Sequence, residues 1–231
     1  MAKEVIVTAD KIKKRKKIVS TLRVATLGIF GGLFALFVVL NLAYNGGKFS
    51  ITLDKKLAEE KNIILYEDSI TKQTTRKLYA EDIEYMDNIS INWLPKNINA
   101  EKEGSHNGDN YIAYTFYLEN QGNEKTTYWY TMFIDDVIKD VDEAVRIIVY
   151  KDNERTVYAK VNPETKEAEP NTKAFYSEDI AILEKVENFQ PGETHKFTIV
   201  VFIEGDDPEC LNQIIGGEIR LHMEITAEKN R

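Results

Sequence analysis

The rhythm of apolar and polar positions changes once along this chain, near residue 45. From Val24 to Tyr44 every residue is uncharged and most are apolar. At 1.5 Å per residue, a helix of about 20 residues crosses the roughly 30 Å hydrocarbon core of a bilayer. After Asn45–Lys48, where two glycines interrupt the pattern, apolar residues recur at every second position in short bursts. That is the period of a half-buried strand.

Phe49, Ile51 and Leu53 share one face of the first burst, and NIILY at 62–66 is a second. NISINWLP places Ile89, Ile91 and Trp93 on one side, and Pro95 stops the run. Residues 111–134 read as strand, turn, strand. Ile112, Tyr114, Phe116 and Leu118 share a face, and Asn120–Asn123 form the turn, with Gly122 free to take positive φ. Tyr128, Tyr130, Met132 and Ile134 then oppose Trp129, Thr131 and Phe133. DDVIKDVDEAV carries apolar residues at 137, 138, 141, 144 and 145, a helical spacing that predicts a short helix. A second hairpin follows with its turn at Lys151–Glu154, and Asn162–Lys173 reads as a polar loop. Pro191-Gly192 signals another turn. Beyond it Phe197, Ile199, Val201 and Ile203 point inward. The last burst puts Ile219, Leu221, Met223 and Ile225 in, with Arg220, His222 and Glu224 out.

Roughly nine to eleven short strands punctuated by turns predict an all-β fold, an elaborated immunoglobulin-like or jelly-roll-type β-sandwich behind a single transmembrane helix. The expected parts are a basic tail at 1–23, the helix at 24–44, a linker at 45–48 and one sandwich at 49–231. Its core should include Phe116, Leu118, Trp129, Phe197, Val201, Leu221 and Met223.

Charge gives the helix a direction. Residues 1–23 hold eight Lys/Arg, among them Lys13, Lys14, Arg15, Lys16 and Lys17, and two Asp/Glu. Of the chain's 30 basic and 38 acidic residues, 22 and 36 lie beyond residue 23, so a +6 flank faces a −14 remainder. Basic flanks stay on the cytoplasmic side, which places the tail inside and the acidic domain outside the cell membrane. The same imbalance argues against nucleic acid as a partner. The uncharged run exceeds the 7–15 residues of a signal-peptide core, and Asn41 stands where a small residue would precede cleavage after Ala43. A retained anchor is favoured, and cleavage is the alternative. Gly28 and Gly32 form a G-x-x-x-G that would let two such helices approach closely.

YTFYLENQGN, FQPGETHKFTIVVFIEGDDPEC and IIGGEIRLHMEI together resemble the TasA/camelysin family of Gram-positive bacteria, whose members also have an N-terminal export segment. The resemblance implies a secreted or surface sandwich with a biofilm-fibre or proteolytic role. This chain departs from the family in having an N-terminal segment that looks uncleaved.

No catalytic motif stands out. His106, His195 and His222 do not form H-E-x-x-H, and neither G-x-S-x-G nor a P-loop is present. Cys210, the single cysteine, has no partner for an intrachain disulfide. It could bridge two chains or act as a thiol, but nothing nearby in sequence activates it. Glu204, Asp206, Asp207 and Glu209 are a weak calcium candidate on a loop fixed by Gly205 and Pro208, without EF-hand spacing. No other cofactor is implied. The expected role is therefore non-enzymatic: a membrane-proximal interaction or envelope-structural module. Its partners would be the lipid bilayer, another envelope protein or a second copy, and an exposed strand edge would offer a partner strand a place to pair.

Overall fold

A computed structural model describes residues 9–44 and 49–228, with the backbone alone for 9–13 and 41–44. The 45–48 linker and the Lys13 side chain lie outside the described residues. The chain divides into two units, residues 1–47 and 48–231.

The first unit is one helix, α1 (Ala9–Tyr44). It is long and apolar enough to cross a membrane, and every side chain from Lys14 to Leu40 is exposed. At Gly28 and Gly32 nothing among the described residues lies within 4 Å of where a Cβ would stand.

The second unit is an all-β sandwich of twelve described strands: β1 (Ser50–Leu53), β2 (Ile63–Tyr66), β3 (Lys77–Tyr79), β4 (Gly104–Ser105), β5 (Ile112–Asn120), β6 (Thr126–Ile138), β7 (Val145–Lys151), β8 (Glu154–Ala159), β9 (Lys173–Ala174), β10 (Ile180–Phe189), β11 (Thr194–Ile203) and β12 (Glu218–Thr226). One sheet has the order β10-β6-β12-β1-β3. The other runs β2-β5-β11-β7-β8-β9, with β4 also on β5. Both are mixed, because β1 pairs in parallel with β12 and β9 with β8.

Alternation builds the interior as the sequence implies. Ile51, Leu78, Met132, Ile182 and Met223 form one buried row across the first sheet. They meet Phe116, Leu118, Phe197, Ile199 and Val201 of the second sheet in the main cluster. Phe116 and Phe197 stack there with centroids 5.2 Å apart. The second sheet is buried on its other face too. Ala113, Ile148, Val157, Val200 and Phe202 pack under Ile89 and Ile98 in a separate cluster. The segment that supplies Ile89 and Ile98 is therefore a cover. It is not the strand expected at 88–95, because Ile91–Trp93 is a 3₁₀ turn and Trp93 is exposed.

Three further expectations change. Residues 111–134 are not a hairpin: β5 pairs with β11, β2 and β4, whereas β6 pairs with β10 and β12. Their connection crosses between the sheets around buried Asn120. The Asn120 Nδ2 donates to the carbonyls of Glu124 (3.1 Å) and Phe189 (2.9 Å), and its Oδ1 accepts from the Gly122 N–H (2.9 Å). Gly122 is required by close approach, since a Cβ would stand 2.4 Å from the Lys61 carbonyl oxygen. Positive φ plays no part there.

The helix expected over 135–145 is the end of β6 and a single 3₁₀ turn, Val141–Glu143. Lys139 and Asp140 both take left-handed φ (61° and 51°) and reverse the chain, which lets Val137, Val141, Ala144 and Val145 reach one core without a helix. Trp129 lies on the outer face, half-buried, with the Lys185 Nζ 5.8 Å from its ring centroid. The other six residues expected in the core are buried.

Candidate interaction surface

The three histidines have separate partners. His106 is buried, with Nδ1 3.0 Å from the Gly104 carbonyl and Nε2 3.2 Å from that of Ile98. His222 sits on the outer face of β12, 2.8 Å from an Asp135 carboxylate oxygen and stacked on Phe133. His195 is buried against Phe189 (4.4 Å between centroids), 2.6 Å from the Tyr128 hydroxyl through Nδ1 and 3.2 Å from Glu193 through Nε2. Burial pushes the Tyr128 phenol well above its ordinary range, so it stays a donor. The arrangement suits a neutral ring that accepts at Nδ1 and donates at Nε2.

Burial, helped by Lys151, pulls the His195 imidazole below its usual value against the opposing pull of Asp152 and Glu193. Its folded pKa is thus below the unfolded one. The stability this contributes is complete above about pH 6.5 and is lost as pH falls below that, where the unfolded chain binds the proton more readily. Melting temperature should fall between pH 7 and pH 5, and His195→Gln should flatten part of that fall. An unchanged profile in the variant would assign the acid sensitivity elsewhere.

The acidic loop divides between two jobs. The Glu204 carboxylate accepts from the Ile91 N–H (3.2 Å) and the Asp206 N–H (3.2 Å), and Asp206 accepts from the Ser90 hydroxyl (2.5 Å), so both pin the covering segment. Asp207 pairs with Arg146 of β7, and the two are 6% and 5% exposed. The Glu209 carboxylate accepts from Asn162 (3.0 Å). The carboxylates that converge within 4.8 Å are Glu169, Asp207 and Glu209, not the four expected from the sequence. The guanidinium paired to Asp207 already supplies the cationic charge this group needs. Arg146 is the residue sequence reading missed. Its signal was a lone charge inside the apolar run AVRIIVY, which a buried strand tolerates only beside a counterion. Cys210 follows, half-buried, with Sγ 3.0 Å from the Asn88 Nδ2.

The strand edges offer little to a partner strand. Edge strands β3 and β9 have three and two residues, and β2 is bridged by Thr75 through Leu65. Edge strand β10 is ten residues long, but its register breaks at 180/182 and 186/189. It carries Lys185 and Glu187, and Glu184 is tied to Tyr158 and Lys173 of the other sheet. Bulges and charges of this kind block edge pairing.

The outer face of the first sheet is different. Register sets three rows across it: Ile180, Phe133, His222, Ser50 and Tyr79; then Leu183, Thr131, Glu224, Thr52 and Lys77; then Lys185, Trp129 and Thr226. The described residues form two hydrophobic clusters, and neither takes in this face. Trp129, Phe133 and Leu183 are half-buried and Tyr79 is exposed. Phe133 and His222 stack 4.7 Å apart at 14°, and the Lys77 Nζ stands 5.0 Å from the Tyr79 centroid. Aromatics interleaved with charged and hydroxyl side chains are the composition favoured where proteins meet.

No protein-family model matches the chain, and no curated protein matches it. Among solved structures, a β-glucosidase from Kluyveromyces marxianus in complex with glucose is similar at TM-score 0.25 and 12% identity, over 73% of this chain and 15% of the other. A GH31 α-xylosidase from Xanthomonas citri is similar at TM-score 0.23 and 10% identity, over 72% and 15%. Likeness at this level carries no argument about fold or function.

Proposed function

We propose that this protein is a non-enzymatic, membrane-anchored module. Its N-terminal tail lies in the cytoplasm, residues 24–44 span the cell membrane, and the acidic sandwich meets partners outside through the outer face of its five-stranded sheet. The observation that carries this reading is an asymmetry. The chain covers the outer face of one sheet with its own 88–98 segment and leaves the aromatic and charged face of the other half-exposed. The uncharged helix and its basic flank support the anchor. The partner is another envelope protein or a second copy of this chain. Calcium is not part of the reading, because Arg146 occupies the acidic group.

Photocrosslinking tests the face. A benzophenone amino acid at Leu183 or Thr52 should give discrete adducts in intact cells, and one at Asn153, on the β7–β8 turn, should not. Adducts from all three positions alike, or from Asn153 alone, would move the contact elsewhere. Recovery of the protein mainly as extracellular fibres free of membrane would favour a secreted, TasA-like subunit instead.

A further inference from the structure

At the end of the sandwich where β6 finishes and β12 begins, the surface turns apolar. Ile138, Leu211 and Ile215 are 41%, 54% and 67% exposed. They belong to two segments that close one tip, since Ile138 pairs with Glu218 and the Lys139 Nζ donates to the Ile215 carbonyl at 2.6 Å. The tip is firmly built. Ile214 is buried beneath it, and the Gly217 N–H donates to the Ile214 carbonyl at 2.8 Å. Gly216 takes φ +70°, and a Cβ on Gly217 would stand 2.8 Å from the Ile138 and Ile214 carbonyl oxygens. Two glycines thus let the loop turn tightly while Ile215 points away from the core. Exposed aliphatic side chains gathered on an ordered, polar-rimmed tip mark a contact with something apolar.

Strand register says what lies in that direction. β1 and β12 run parallel with Ser50 beside His222. Glu218 is four residues before His222, which at about 3.3 Å per residue is about 13 Å along the strand. The tip therefore stands beyond the start of β1, on the side from which the chain arrives. The uncharged stretch ends at Tyr44, and residues 45–48 can extend over about 14 Å at most. The reach of the linker and the protrusion of the tip match.

We infer that this tip docks on the outer surface of the bilayer, with Ile215 and Leu211 seated at the boundary between headgroups and acyl chains. The inference rests on the reading of residues 24–44 as a retained span. Charge defines the contact further. Asp135, Asp136, Asp140 and Glu218 flank the tip, so anionic headgroups repel its sides, and apolar burial supplies the attraction. Tethering makes this docking intramolecular, so few side chains suffice. The strands of the five-stranded sheet then rise from the membrane, and its bare face looks along the membrane plane, toward neighbours held in the same bilayer.

The test uses the full chain in phosphatidylcholine vesicles, with Cys210→Ser removing the native thiol. A spin label is placed at Ile215→Cys or, at the far end of the sandwich, at Asn153→Cys. Power saturation should show position 215 reached by oxygen and shielded from a water-soluble nickel chelate, and position 153 the reverse. Adding phosphatidylglycerol should not increase the shielding. Two outcomes overturn the inference alone: a chain that resists alkaline washing while 215 is as open to nickel as 153, or spin–spin broadening at 215 that identifies a second copy as the occupant. A chain washed off the vesicles overturns the anchor reading as well.

Discussion

Leu221→Asp should unfold the sandwich, and His222→Asp, one residue along, should leave it folded. Leu221 is buried opposite Ile134, between the two sheets. Removing its side chain costs about 2–5 kcal/mol in lost transfer and cavity formation. The new carboxylate must in addition either stay ionised without a partner or take up a proton at further expense. Against a total stability of about 5–15 kcal/mol, that loss is enough to depopulate the folded state. His222 lies on the other side of the same strand. An aspartate there loses the stack on Phe133 and stands near Asp135 and Glu224, a repulsion worth about 1 kcal/mol or less at a solvated site. Thermal unfolding of the full chain in detergent, followed by circular dichroism, separates the two. Equal damage would mean that the register of β12 is wrong.

Asp207→Ala should destabilise nearly as much, by about 3–5 kcal/mol, because it leaves the Arg146 guanidinium buried without its partner. Burial already pulls the Arg146 pKa down, against the attraction of Glu169, Glu204 and Glu209, so the site has little tolerance for a lost carboxylate. The double variant Arg146→Met, Asp207→Leu removes both charges together and should recover most of the loss, since a well-packed apolar pair often replaces a buried ion pair at little cost. Urea unfolding of the single and double variants measures this. A double variant as unstable as Asp207→Ala would mean that Arg146 is held chiefly by the other carboxylates.

What could be read in advance follows a physical boundary. β1, β11 and β12 were legible because each buries one face in the main core, so period-2 alternation records the register of Phe49, Phe197 or Leu221 directly. Which strands pair was not legible. Asn120–Asn123 has the composition of a hairpin turn, but the chain turns there between sheets, and that choice depends on Asn120 reaching the Phe189 carbonyl 69 residues away. Residues 135–145 misled because two strand ends around the left-handed pair Lys139–Asp140 give the same apolar spacing as a helix. Trp129 was expected inside because β6 is apolar on both faces, and apolarity alone does not tell a central strand covered on both sides from one with a bare outer face. The acidic loop was visible as charge, but its division between Arg146 and the covering segment was not. Those partners come from β7 and from residues 88–91.

The central claim is that the chain stays anchored with its acidic domain outside, and protease protection tests it most directly. Intact cells producing the full chain with an N-terminal tag are treated with protease from outside, and the protected tagged fragment is sized and sequenced. The account predicts a short fragment that begins at the native N-terminus and ends near residues 45–48, with the sandwich digested once it is unfolded. A mature protein beginning between Tyr44 and Gly47, or a sandwich protected until the cells are broken, would contradict it.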